Sequence, residues 1–328
     1  MRKQIPFLLL FIFANTILFA QKTASKNPTQ TKEKTGLQVN NIKSQSAFEF
    51  TFKMGQKGSD SICLFIKKFN QKGIAIENLS PAERIIYTYN DQGKLVEESY
   101  YDSTEKNILY KDQYQYNENR TLSMKTEYGQ KGQKIFSVSS IYNPQKQEIE
   151  RAVIDSSGKL QSKLIFFYDV KKNIASENEL NSFGKVITKK IFTYNPKNNL
   201  TSLTIVKNDT ITSKYSHEYN AMEQKIKTVC YNSDGTINYK TVFNYNAKGM
   251  LSEETTYQGT GFSKMSYQYD SKGNMTQGLK TNDRNTILEK ITYHYNSKGL
   301  LREEIQYNTF DEPQSVTKYY YEFYPEVK

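Results

Sequence analysis

Three adjacent glutamate pairs, Glu97-Glu98, Glu253-Glu254 and Glu303-Glu304, are the residues of this chain best suited to chemistry. Two carboxylates flanking one bond are the machinery of glycoside hydrolysis. Each pair, however, lies in a stretch with the alternation of a β-strand, where neighbouring side chains point to opposite faces. Neither member can therefore join its neighbour in one cleft, and carboxylates from different pairs meet only if the sheet rolls up. The two histidines, His217 and His294, are too few for most imidazole-based metal or triad designs, and the expected register sends them to opposite faces. The sequence contains no P-loop, HExxH, GxSxG or CxxC pattern. No catalytic residue, metal or cofactor is expected.

A second candidate is aromatic. Pairs spaced one residue apart recur at Tyr87/Tyr89, Tyr114/Tyr116, Phe166/Tyr168, Phe192/Tyr194, Phe243/Tyr245, Tyr267/Tyr269, Tyr293/Tyr295 and Tyr319/Tyr321. A line of such rings either fills a sheet face as core or stacks sugar or peptide. The ligand-binding candidates are Tyr87, Tyr89, Tyr114, Tyr116, Tyr245, Tyr267, Tyr269, Tyr293 and Tyr295.

The elements that position these rings repeat about every 26 residues. KITYHYNSKGLLREEIQY at Lys290–Tyr307 reads as strand, tight turn, strand, and IIYTYNDQGKLVEESYY at Ile85–Tyr101 and VFNYNAKGMLSEETTY at Val242–Tyr257 restate it. Turns are expected to open at Asn90, Asp102, Asn117, Gly129, Asn143, Asp155, Asp169, Asn181, Asn195, Lys207, Asn220, Asn232, Asn246, Gln258, Asp270, Asn282, Asn296 and Asn308, with spacings mostly alternating 12 and 14. Asn or Asp opening a turn that ends in Gly, as in Asn296-Ser297-Lys298-Gly299, favours a type I turn followed by a left-handed residue. Pro144 and Pro196 suit the second turn position. This turn sets Tyr295 beside Leu301 and, by continuation, Tyr293 beside Glu303. Likewise Tyr89 meets Leu95, Tyr245 meets Leu251 and Tyr269 meets Met275. One face is then semi-apolar and the other wet.

The expected fold is all-β: an antiparallel meander of about 18–20 strands built from hairpin repeats. Laid flat, such a sheet is on the order of 100 Å long with a bare aromatic face, larger than a soluble protein tolerates. Twisting or curling over that face is the favoured remedy. The organisation expected is a signal peptide over 1–20, a flexible linker over 21–46, a degenerate first hairpin with an insertion over 47–84, and the repeat domain over 85–324. Arg2 and Lys3 precede the apolar run Phe7–Phe13, and Ala20 stands before a polar switch. Within 47–84, Ser61–Ile76 has the strand–turn–strand form, and Glu77–Arg84, with Ser80-Pro81, reads as the insertion.

The frame Tyr-x-Tyr-Asn/Asp-x-x-Gly-x-Leu resembles the YD repeat of RHS and related bacterial wall-associated proteins. Tyr267-Gln268-Tyr269-Asp270-Ser271-Lys272-Gly273-Asn274 carries the likeness best, and the resemblance covers about Ile85 to Tyr321. It implies a spiralling antiparallel sheet that builds a hollow shell, with structural, binding or encapsulating roles outside the cytoplasm. Most copies here carry Asn where the family has Asp, and the period is longer. The self-cleavage boundary of large RHS proteins is not found, so an encapsulated-toxin role is not implied.

The formal charge of +11 reflects 45 Lys+Arg against 34 Asp+Glu, read as solvated Lys on polar strand faces rather than a nucleic-acid footprint. The expected protein is exported to periplasm, cell surface or medium. It is read as a non-enzymatic scaffold or binding module for a cell-surface glycan or protein, not membrane-spanning once the signal is removed. The alternatives are a carbohydrate- or peptide-active enzyme whose carboxylates meet on curling, and an outer-membrane β-barrel. Cys63 and Cys230 are separated by about twelve turns, or roughly 55–60 Å in an open meander, so a bond between them would demand closure. Function is expected where the frame breaks: at Glu77–Arg84 and in the copies around Asn143 and Asn220.

Overall fold

The computed structural model describes residues 41–53 and 56–325. The signal-peptide segment and most of the linker lie outside the described residues. Those described form 22 strands, with no helix long and apolar enough to cross a membrane.

Every expected turn from Asn90 to Asn308 is present. Where Asn or Asp opens the turn, the opening residue explains why. Asn296 Oδ1 accepts the backbone N–H groups of Lys298 and Leu300, both at 3.0 Å, and its backbone N–H donates to the Leu300 carbonyl at 2.8 Å. The short amide thus supplies acceptors that the turning backbone lacks. The fourth residue must be left-handed: Gly299 has φ +78°. At Lys146 (φ +63°) and Asn198 (φ +66°), which replace Gly, Pro144 or Pro196 presets the turn upstream, whereas Arg120, Lys172 and Glu223 take the left-handed conformation without proline. Two connections are shorter, Asn208-Asp209 and Gly259-Thr260; the first holds both residues at positive φ (+46° and +62°), as a two-residue hairpin requires.

The register beside the turn is as expected: Tyr295 opposes Leu301, Tyr89 Leu95, Tyr245 Leu251 and Tyr269 Met275. One step further it differs. A one-residue bulge shifts the ladder, so Tyr293 opposes Glu304 while Glu303 opposes His294. An extra residue in one strand moves the following side chains to the other face. The second glutamate of each pair, not the first, shares the aromatic face: Glu98 lies opposite Tyr87, Glu254 opposite Phe243 and Glu304 opposite Tyr293. The pairs do split between faces.

The sheet is a closed barrel, not a curled open meander. Strand β1 (Ile42–Lys53) pairs on one side with β2 (Gln56–Phe69), Ala47 opposing Phe65. On the other it pairs with the last strand, β22 (Pro313–Phe323), Ala47 opposing Tyr319. Closure removes both edges, each a row of unpaired N–H and C=O groups. It needs no disulfide: Cys63 and Cys230 are free. The strand count exceeds 18–20 because the segment before the regular array contributes three strands, the first of which starts at Ile42, inside the stretch read as linker. The supposed insertion is also regular: β3 (Ala75–Leu79) and β4 (Glu83–Tyr89) form a hairpin. Ser80-Pro81 is its turn, with the Ser80 N–H donating to the Glu83 carbonyl at 2.9 Å.

Sustained contact between strands is confined to ladder neighbours, so the wall is a single layer. Burial is accordingly one-sided. On the aromatic face of β10 (Leu160–Tyr168), Leu164 is 3% and Phe166 6% exposed, whereas Phe167 on the polar face is 48% exposed. At the seam Ile42, Phe69 and Leu300 form a small apolar cluster with Ala75, Tyr321 and Phe323.

Candidate functional site

The second tyrosine of each repeat turns out to be a latch. Its hydroxyl donates to a backbone carbonyl at the start of the neighbouring strand: Tyr116 to Leu95 at 2.7 Å, Tyr194 to Ile174 at 3.0 Å, Tyr245 to Lys225 at 2.8 Å, Tyr269 to Leu251 at 2.7 Å and Tyr295 to Met275 at 2.9 Å. Tyr89 does the same to Ala75 at 2.7 Å, and Tyr321 to Leu301 at 2.8 Å. Each carbonyl lies beside a turn, where the inter-hairpin ladder ends, so the phenol satisfies an acceptor that the sheet leaves over. This is the physical content of the Tyr-Asn/Asp dipeptide: Tyr ties one hairpin to the last, and Asn or Asp folds the turn that follows. Burial pushes Tyr194 and Tyr219 up to about 12, so the donors stay protonated. Tyr194→Phe is expected to cost about 1 kcal/mol, one net hydrogen bond, read as a lower urea midpoint.

Five of the nine tyrosines proposed from sequence (Tyr89, Tyr116, Tyr245, Tyr269 and Tyr295) are therefore occupied as latches. The inner four face charge or backbone across the ladder: Tyr87 opposes Glu98, Tyr114 Lys125, Tyr267 Gly278 and Tyr293 Glu304. Burial first, and the carboxylates Glu254 and Glu304 respectively next, push Tyr267 and Tyr293 up to about 12. The nine rings are spread along the wall rather than gathered in one site. His217 takes a ring position on the aromatic face, its Nδ1 3.0 Å from Thr228 Oγ1, and burial with Lys225 nearby lowers it to about 4. His294 is exposed on the other face, so the histidines do not converge.

One constellation was not legible from sequence. On β5 (Leu95–Asp102), β6 (Ile108–Tyr116) and β7 (Leu122–Gly129), three carboxylates stand in register, Glu98 opposite Asp112 and Asp112 opposite Glu127. Tyr100 and Tyr114 both donate to Glu98 Oε2, at 2.8 and 2.7 Å. The Tyr100 ring stacks on Tyr110 with centroids 4.1 Å apart. Asp112 is 2% exposed; Lys125 Nζ lies 2.7 Å from Oδ2, and Oδ1 has no hydrogen-bond partner. Burial raises Asp112 above the usual carboxylate range against the pull of Lys125, and Glu98 adds to the rise. Burial and then Asp112 raise Glu127. The sequence signal was weak: Asp112 alternates with Tyr110 and Tyr114, but the bulges decide what faces it.

Carboxylates do come together, then, through ladder register rather than by curling. The geometry suits proton holding better than glycoside chemistry, because Asp112 is covered and cannot touch a sugar. A carboxyl raised in the folded state stabilises most below its unfolded pKa and loses that contribution as pH rises through the folded value. Asp112→Asn should therefore leave stability unchanged or raise it by up to about 1 kcal/mol at pH 7: it removes a buried carboxylate faced by two others, and Lys125, partly exposed, keeps access to water once its partner is gone. It should also flatten the fall in urea midpoint between pH 4 and 7. The depressions along the wall are shallow and repetitive. One of about 260 Å³ lies between the turns at Asp270 and Asn296, and one of about 470 Å³ between those at Asp169 and Asn195. Among the described residues no group of three or more His, Cys, Asp or Glu could hold a metal ion.

No protein-family model matches the sequence and no curated protein matches it. Solved structures similar to the chain include the TcdB2-TccC3-Cdc42 complex at 12% identity, covering 81% of this chain and 18% of that one with a TM-score of 0.33. The Photorhabdus luminescens Tc holotoxin pore is similar at 10% identity over 77% of this chain and 17% of that one, TM-score 0.33. A porin-like protein from Bacteroides uniformis is similar at 10% identity over 86% of this chain and 98% of that one, TM-score 0.31. The chain thus spans under a fifth of the toxin chains it matches, and likenesses this distant carry no argument about role.

Proposed function

We propose that the protein is an exported, non-enzymatic β-shell acting as a scaffold or binding module for a glycan or protein at the cell surface or in the periplasm. The observation that carries this reading is charge on both faces of the wall. Lys111, Lys163 and Glu150 stand mid-strand on the polar face, and Glu98, Asp112, Glu177 and Lys190 mid-strand on the aromatic face. Whichever face looks outward, lipid would have to cover charge, whereas a spanning barrel needs one continuous apolar band. The chain from residue 41 onward should purify as a monomer without detergent, and small-angle scattering should give a hollow particle. Aggregation relieved only by detergent would defeat the proposal.

An outer-membrane barrel is the second reading. Closure supports it, as do the large apolar residues exposed on the polar face, among them Ile141 (51%), Phe167 (48%) and Ile191 (39%). Insertion into liposomes with heat-modifiable migration would establish it. An enzymatic role is tested by incubating the soluble chain with polysaccharides and peptides; turnover lost with Glu98→Gln would replace the scaffold reading.

A further inference from the structure

The polar face carries a row of cations that one sector of the barrel leaves without counter-charge. From β4 onward, the same mid-strand station recurs on alternate strands, and it holds lysine in most repeats. In several repeats a neighbouring acid neutralises it: Lys111 lies 3.2 Å from Glu97, Lys163 2.7 Å from Glu150, and Lys264 3.8 Å from Glu253. Those glutamates occupy one station near the start of the preceding strand. On β11 (Ile174–Asn181), β13 (Leu200–Lys207) and β15 (Lys225–Tyr231) that station holds Ser176, Ser202 and Lys227 instead. Lys227 is itself held by Glu218 at 2.9 Å. On β12 (Val186–Tyr194), β14 (Thr210–Tyr219) and β16 (Ile237–Tyr245), Lys189, Lys214 and Lys240 consequently have no carboxylate within ion-pair distance among the described residues. Lys189 and Lys214 are exposed.

Two tyrosines flank this stripe on the same face. Tyr231 opposes Lys214 in the ladder. Tyr257 opposes Lys240, whose ammonium sits 4.6 Å from its ring centroid, and is 41% exposed. Flat rings beside ammonium groups suit a ligand that is both ringed and anionic. Spacing narrows the choice. The ladder staggers Lys214 by two residues from Lys189, and Lys240 by two from Lys214, so successive lysines lie about 12 Å apart, the diagonal of two interstrand distances and two residues of rise. Nucleic-acid phosphates follow one another far more closely along a strand, at about 3.4 Å of helix rise. In an extended glycan every second sugar presents the same edge, so one carboxylate recurs per disaccharide, and the flexible four-carbon lysine stems can take up the difference between that period and the diagonal.

We infer that Lys189, Lys214 and Lys240 form a binding stripe for a linear acidic polysaccharide bearing one carboxylate per disaccharide, running across the strands. This rests on the binding-module reading and names its ligand class and its face. The stripe includes the copy around Asn220, one of the places where the repeat frame breaks.

The test is calorimetric titration of the detergent-free protein at low salt with a hyaluronan decasaccharide, its carboxyl-reduced neutral form, and a ten-residue oligothymidylate. Native protein should bind the acidic glycan, with affinity falling as salt rises. K189Q/K214Q/K240Q should weaken binding by about tenfold or more, the sum of several exposed ion pairs. The control K111Q/K163Q/K264Q should bind within about twofold of native, since its lysines are already paired. No binding, equal binding of the neutral form, equally tight oligothymidylate or an unchanged stripe variant would each overturn the inference. A chain that is soluble and hollow yet fails to bind refutes the stripe alone; one that needs detergent refutes the shell itself.

Discussion

Phe166→Ala should lower unfolding free energy by about 3–5 kcal/mol, while the same change at the next residue, Phe167, should cost less than about 1 kcal/mol. The two differ only in face. Phe166 is 6% exposed beside Leu164, with the Arg151 guanidinium 5.7 Å from its ring centroid and Glu177 opposite. Truncation there opens a cavity that a single-layer wall cannot fill from a second layer. Phe167, 48% exposed on the polar face, already meets water. Paired urea titrations measure both, and equal losses would refute the assignment of the aromatic face as the buried one.

Ala47→Asp should cost several kcal/mol, the effective penalty for an unpaired buried charge, and should convert the monomer to higher oligomers. Ala47 is 0% exposed at the seam, between Phe65 and Tyr319. A short carboxylate there cannot reach water as a longer side chain would. Because β1 is the strand that pairs both β2 and β22, displacing it exposes two long edges at once, each a template for pairing with another chain. Gel filtration over a concentration series reads the outcome; a stable monomer would mean that the wall does not depend on this closure.

Most of the wall was legible in the sequence because its rules are local. An Asn or Asp that accepts two turn N–H groups, with a left-handed residue three places on, needs no information beyond five residues. Hence the turns from Asn90 to Asn308, the Tyr295–Leu301 register and the split of each glutamate pair could be read directly. The same residues misled where two jobs share one residue type. The tyrosines looked like a stacking platform, yet five of the nine proposed serve as latches to backbone carbonyls, a role visible only once the adjacent hairpin is in place. Ser80-Pro81 looked like an interruption and is a hairpin turn.

What the tertiary structure decided lies beyond the reach of local pattern. Closure depends on twist accumulated over 22 strands and on β1 matching both the second strand and the last, more than 260 residues apart at Ala47 and Tyr319. The row Glu98–Asp112–Glu127 depends on one-residue bulges, which no residue type marks and which move each following side chain to the opposite face. The unneutralised Lys189, Lys214 and Lys240 depend on which residue stands on the neighbouring strand. The three glutamate pairs thus set a β-strand pattern and their own division between faces. Which carboxylates stand together, and which lysines stand alone, was settled by ladder register.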